Sequence, residues 1–128
     1  MYEVMIETEF SSAHALRGVD GELCENMHGH NWKIEIYVCG PQLNEIGLLV
    51  DFVELSNTTK RVVEYLDHKV LNETPPFDRL LNPSAENVAR YILGQLSTSI
   101  DNQCRRVYKV RVWESSRCSA TYQVDVQF

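Results

Sequence analysis

The chain predicts an α+β domain with the element order strand, strand, helix, helix, strand, strand (ββααββ), and three observations carry that reading. Four segments alternate apolar and polar residues with period two. Two segments in the middle of the chain place apolar residues at helical spacing. The stretches between them are rich in turn formers, and no internal repeat or low-complexity tract interrupts the order. Two helices then cover one face of an antiparallel four-stranded sheet. The 128 residues suit a single domain, 1–128, and suffice to bury a sizeable core.

In the first strand Val4, Ile6, Thr8, Phe10, Ser12 and His14 share a face. His28, His30, Trp32, Ile34, Ile36 and Val38 do the same in the second, which stops at Gly40-Pro41. A polar loop, Arg17 to Asn26, joins the two. Asp51 is a natural N-cap for a helix whose stripe is Phe52, Leu55, Thr59, Val62, Val63 and Leu66. Asp67 to Pro83, with three prolines, reads as a connector. Ser84 caps the second helix, with Val88, Ala89, Ile92, Leu93 and Leu96 inward. Tyr108, Val110, Val112 and Glu114 share a face of the third strand. Ala120, Tyr122, Val124, Val126 and Phe128 share one of the fourth. Sheet edges in such a domain are covered, blunted or paired with another chain, so oligomerisation through strand pairing is expected.

Composition narrows the class. With 44 % hydrophobic and 23 % charged residues, the chain is an ordinary soluble protein by usage. No apolar run approaches the roughly 20 residues that span a bilayer. The first residues lack the basic region and apolar core of a signal peptide, so the expected compartment is the cytoplasm, with no membrane partner. A net charge of −6 argues against a nucleic-acid surface, and Arg105-Arg106 is too short a basic patch to offset it. A small anionic ligand needs only a local pocket and stays compatible. Cys24, Cys39, Cys104 and Cys118 show no paired spacing and read as free thiols in a reducing compartment.

The histidines carry the chemical signal. His28 and His30 stand at i and i+2, so on a strand both imidazoles leave the same face with Cα atoms about 7 Å apart. Gly29 between them leaves the opposite face bare. His14 ends the preceding strand on the face of Phe10 and Ser12. Three neutral imidazoles with an open fourth position describe a catalytic zinc rather than a structural one. The competing reading is a chance cluster at two strand mouths. Cys24 and Glu25 stand just before these histidines. A thiol near a dication is a candidate base or nucleophile, against the plain alternative of a bystander thiol and a solvated carboxylate. His68 after Asp67 reads either as half of a proton-transfer pair or as a cation at a helix end. Glu114 continues an apolar face, where a carboxylate needs partners. It can accept the two donors of an amidine-like edge, unless the strand has already reached solvent.

Together these residues resemble the 6-pyruvoyl-tetrahydropterin synthase family, which includes 6-carboxytetrahydropterin synthase. The resemblance runs nearly end to end through Phe10-Ser11-Ser12-Ala13-His14, Cys24-Glu25-Asn26-Met27-His28-Gly29-His30-Asn31-Trp32 and Asp51-Phe52. It continues in Leu66-Asp67-His68, Leu71-Asn72, Pro83-Ser84-Ala85-Glu86-Asn87 and Val112-Trp113-Glu114. It implies the tunnelling fold, in which ββααββ subunits trimerise into a barrel and two trimers stack as a homo-hexamer with active sites between subunits. It implies zinc on His14, His28 and His30, and 7,8-dihydroneopterin triphosphate as substrate. Cys24 would be the general base, with Asp67 and His68 completing its triad across an interface. Glu114 would anchor the pterin ring, with Ser84 and Glu86 in the same pocket.

One segment satisfies two patterns of this family. Cys-x-x-x-His-Gly-His is similar to the enzymes forming 6-pyruvoyl- or 6-carboxytetrahydropterin, the latter on the queuosine route. Glu-x-x-His-Gly-His is similar to a variant that cleaves the same substrate to 6-hydroxymethyl-7,8-dihydropterin for folate synthesis. With Cys24 and Glu25 adjacent, both outcomes are open, singly or in a bifunctional enzyme, and the compact chain favours the 6-carboxy product. Ser56 stands where many relatives carry lysine, and Ala85 where threonine or serine is common; both departures bear on the substrate pocket, not the metal. The other class of reading is a non-catalytic pterin-binding module, and the joint presence of Cys24, Asp67, His68 and Glu114 speaks against it.

Overall fold

A computed structural model of the chain describes residues 1–128. Its elements are β1 (Tyr2–His14), β2 (His28–Gly40), α1 (Phe52–Leu66), β3 (Lys69–Val70), α2 (Ala85–Ile100), β4 (Arg106–Trp113) and β5 (Ser119–Gln123). β1 and β2 form a long antiparallel hairpin without a break in register, from Tyr2 opposite Gly40 to His14 opposite His28. The two histidines at its loop end are therefore cross-strand neighbours. At the other end Gly40 admits no side chain, because a Cβ there would meet the Cys104 carbonyl and come within 2.7 Å of Leu49 Cδ1.

The sheet has five strands in the order β3-β1-β2-β4-β5, not four, and β3 runs parallel to β1. The expected connector thus contains a two-residue strand, followed by a single 3-10 turn at Leu71–Glu73. Two residues have no measurable period, so this strand arises from tertiary pairing: the chain leaving α1 meets Ser12 and Ala13 of β1. β3 covers only that short part of the β1 edge. The remainder of β1 towards Tyr2 and the outer side of β5 have no strand partner.

Both helices lie on the face of the sheet that carries the even-numbered residues of β1 and β2. Trp32, Ile34, Ile36, Val38, Val110 and Val112 meet Leu55, Val63, Leu66, Val88, Ile92 and Leu96 in one core. Each such side chain contributes roughly 1.5–3 kcal/mol by leaving water. The Asp51 carboxylate accepts the Val53 N–H at 2.7 Å and the Ser84 hydroxyl accepts that of Asn87 at 3.2 Å, so both expected caps are made. The α1 stripe begins a turn later than its spacing suggests: Phe52 is 54 % exposed. Periodicity gives the face of a helix, not where along its length the covering layer stops.

In β4 the inward set is Val107, Val110 and Val112 rather than Tyr108, Val110 and Val112. Register against β2 shifts between Tyr37 and Val38, leaving Tyr108 as the extra residue of a β-bulge. The bulge turns Val107 into the core and sends the Tyr108 hydroxyl to the Glu3 carboxylate. No helix is long and apolar enough to cross a membrane.

Candidate metal centre

The loop end of the β1–β2 hairpin gathers three imidazoles. Each of His14, His28 and His30 offers a ring nitrogen, and these atoms lie within 4.8 Å of one another. Sheet geometry does this directly, because His28 faces His14 across the ladder and His30 follows on the same side of β2. The Trp32 indole packs edge-on beneath His14 and His30, with ring centroids 4.7 and 5.5 Å away. Its Nε1 donates to the Ser12 carbonyl at 3.1 Å, which locks the plate in place.

Two rings are oriented by backbone carbonyls. His14 Nδ1 lies 2.6 Å from Pro83 O, and His28 Nδ1 lies 2.8 Å from Asn26 O. A carbonyl only accepts, so each Nδ1 carries the hydrogen and each Nε2 presents a lone pair, the usual arrangement of metal-bound histidine. His14 Nε2 and His30 Nε2 are buried without a hydrogen-bond partner. Leaving such atoms unpaired costs about 1–3 kcal/mol each. Burial holds the His30 pKa below the usual imidazole value; Glu114 opposes the shift, and the other two histidines add to it. Converging ring nitrogens, two of them buried without a partner, fit a divalent cation.

Two clefts flank the cluster. One, of about 260 Å³, is lined by Leu16, Ser84, Glu86, Glu114 and Cys118 among others. Glu114 Oε1 lies 3.7 Å from His14 Nε2, and the side chain is about one-third exposed, so it bridges the cleft and the histidines. Ser84, Glu86 and Glu114, predicted to share a pocket, do share one. Cys118 is an addition there. Its signal was the short hairpin turn after Glu114, whose N–H donates to Cys118 O at 3.1 Å.

The second cleft, of about 390 Å³, brings His30 together with His68, Lys69 and Asn31. His68 Nδ1 is 2.9 Å from Asp67 Oδ2, so the expected pair forms. The Ser11 N–H, and then His68, hold the Asp67 carboxyl below its ordinary range. His68 has φ of 56°, in the left-handed region that favours glycine at a helix end. Keeping an imidazole there, 81 % exposed, spends backbone strain on a side chain that faces solvent.

Cys24 and Glu25 are placed by a different element, the loop after β1. The Cys24 thiol donates to Leu16 O at 3.3 Å, and Glu25 Oε1 accepts the Leu16 N–H at 2.9 Å. No hydrogen bond within the chain joins Cys24 to Asp67 or His68. The chain therefore assembles three groups of candidate residues around one centre: a carboxylate cleft, an Asp-His pair, and a Cys-Glu loop.

Comparison with known proteins identifies the family. The family model for 6-pyruvoyl tetrahydropterin synthase matches residues 3–125. The chain is 30 % identical to 6-carboxy-5,6,7,8-tetrahydropterin synthase of Bacillus subtilis, over 91 % of its length and 83 % of the relative's. It is 27 % identical to dihydroneopterin monophosphate aldolase of Pyrococcus furiosus, covering 88 % and 90 % of the two chains. Among solved structures, 6-pyruvoyl tetrahydropterin synthase of Caenorhabditis elegans superposes with a TM-score of 0.80 at 26 % identity, covering 98 % of each chain.

Proposed function

Because the chain belongs to the 6-pyruvoyl tetrahydropterin synthase family, we propose that it is a zinc-dependent lyase acting on 7,8-dihydroneopterin triphosphate. The product we assign is 6-carboxytetrahydropterin, the chemistry named for the Bacillus relative, with 6-pyruvoyltetrahydropterin as the neighbouring outcome. The observation that carries the reading is the three-histidine cluster with two orphaned Nε2 atoms beside a carboxylate-lined cleft.

In this mechanism His14, His28 and His30 would hold the zinc, which would supply Lewis-acid polarisation of the substrate side-chain hydroxyls. Glu114 accepts two N–H groups of the pterin edge and fixes the ring in its cleft, with Ser84 and Glu86 along the wall. Cys24 takes a proton as general base, and for that its thiol must leave the Leu16 carbonyl, since a thiolate has no proton to donate there. His68 moves the second proton, and Asp67, bonded to His68 Nδ1, sets its tautomer. Triphosphate leaves from the side-chain end.

A second product reading has its own support. Glu25 is a carboxylate anchored one residue from Cys24, and the Pyrococcus relative is named an aldolase. With Glu25 as the base, cleavage gives 6-hydroxymethyl-7,8-dihydropterin. We further assign the assembly to a dimer of trimers. The free edges of β1 and β5 favour head-to-tail pairing into a barrel, which would bring the exposed His68 of one subunit to the Cys24 loop of another.

The test is mass spectrometry of products after incubation of the zinc-loaded protein with 7,8-dihydroneopterin triphosphate. The expected result is carboxytetrahydropterin with acetaldehyde. Hydroxymethylpterin as sole product would replace Cys24 by Glu25 as the base, and no pterin product at all would overturn the reading.

A further inference from the structure

The ladder between β1 and β3 stops at Ala13 and Val70, yet the chain beyond it stays tied down. Side-chain amides take over where backbone pairing ends. The Ala15 N–H donates to Asn72 Oδ1 at 2.9 Å, and Ala15 O accepts from Asn72 Nδ2 at 2.8 Å. Two residues on, the Arg17 N–H donates to Asn82 Oδ1 and Arg17 O accepts from Asn82 Nδ2, both at 2.9 Å. Each asparagine thus reproduces the paired bonds of a strand neighbour. Asn82 is itself held, its carbonyl accepting from Asn87 Nδ2 at 2.9 Å, and Asn87 belongs to the capped first turn of α2. The Arg17 guanidinium adds bonds to Phe77 O and Leu81 O.

Leu16, between the two braced residues, turns its peptide groups the other way. Its N–H goes to Glu25 Oε1, and its carbonyl receives both the Cys24 N–H, at 2.9 Å, and the Cys24 thiol. One residue therefore anchors both candidate bases. The same segment continues directly from His14, and the loop runs on into Asn26, whose carbonyl orients His28.

We propose that Asn72 and Asn82 are positioning residues that brace Leu16 from behind and thereby set Cys24 and Glu25 in place beside the histidine cluster. The proposal rests on the reading of Cys24 or Glu25 as the base. Neither asparagine lines the clefts beside the metal centre, so they act through the segment they hold. Displacement of a reacting group by about 1 Å costs on the order of a hundredfold in rate, which gives two neutral amides leverage over turnover.

The experiment uses zinc-loaded Asn82→Leu, Asn72→Leu and Asn82→Asp proteins. Asn82→Asp keeps the acceptor for the Arg17 N–H and loses the donor for Arg17 O. Alkylation of Cys24 by iodoacetamide is followed by peptide mass mapping, with the exposed Cys104 as internal reference. Turnover, KM, zinc content and melting temperature are measured on the same samples. The leucine variants should speed Cys24 alkylation severalfold relative to Cys104 and lower kcat about 10- to 100-fold, with zinc content and KM nearly unchanged and Asn82→Asp in between. Unchanged alkylation and kcat would overturn the proposal. So would parallel losses of zinc, melting temperature and rate in every variant, which mark a purely structural role. Full turnover in both Cys24→Ala and Glu25→Ala would instead overturn the catalytic reading, while alkylation would still report on the brace.

Discussion

Trp32 touches no reacting group in the proposed chemistry, yet two of the three imidazoles rest on its indole. A completely buried aromatic ring, stacked on Phe10 and bonded to Ser12, is a rigid floor. It lets the histidines converge without relying on each other. At this scale the metal assignment meets its sharpest check. His28→Ala removes one of three ligands and leaves the floor intact, so zinc measured by plasma mass spectrometry should fall from about one per chain to below about a tenth. The far-ultraviolet dichroism should stay that of the parent. Retention of full zinc in this variant would remove His28 from the ligand set.

At the scale of elements, the bulge in β4 shows what alternation can and cannot reveal. β1 and β2 were legible because thirteen successive pairs keep one face inward, and the histidines inherit that face. Tyr108 was misplaced because a bulge adds a residue without altering composition, so only pairing with β2 exposes it. β3 was invisible for want of length. The bonds from Asn72 and Asn82 left no trace because a side chain bonding distant backbone has no period. The bulge also has a consequence in alkali. The bond to Glu3, then burial, pushes the Tyr108 pKa up to about 12. The folded state favours the neutral phenol, so its contribution is complete below the unfolded value of about 10 and is lost as pH rises towards 12. Tyr108→Phe should flatten this loss, seen as a smaller drop in urea midpoint between about pH 9 and about pH 11.5 than in the parent.

For the whole molecule, the proposed assembly rests on the open edges of β1 and β5. Just past β5 the Val124 N–H donates to Tyr108 O, so by alternation the N–H of Tyr122 faces β4 and that of Thr121 points away from it. Thr121→Pro deletes that donor where an edge strand tolerates proline. On the proposed assembly, sedimentation should give a hexamer for the parent and a folded monomer for the variant, with turnover lost if sites draw on two subunits; a hexameric variant would place the contact elsewhere. The uninterrupted pairing of β1 with β2 has one more consequence. A slip of a single residue would send His28 and His30 to the opposite side from His14 and scatter the ligands. A cation at that end would therefore proofread the hairpin, rewarding one alignment and none of its neighbours. Metal supply during refolding would then govern the yield of correctly paired chains as well as their activity.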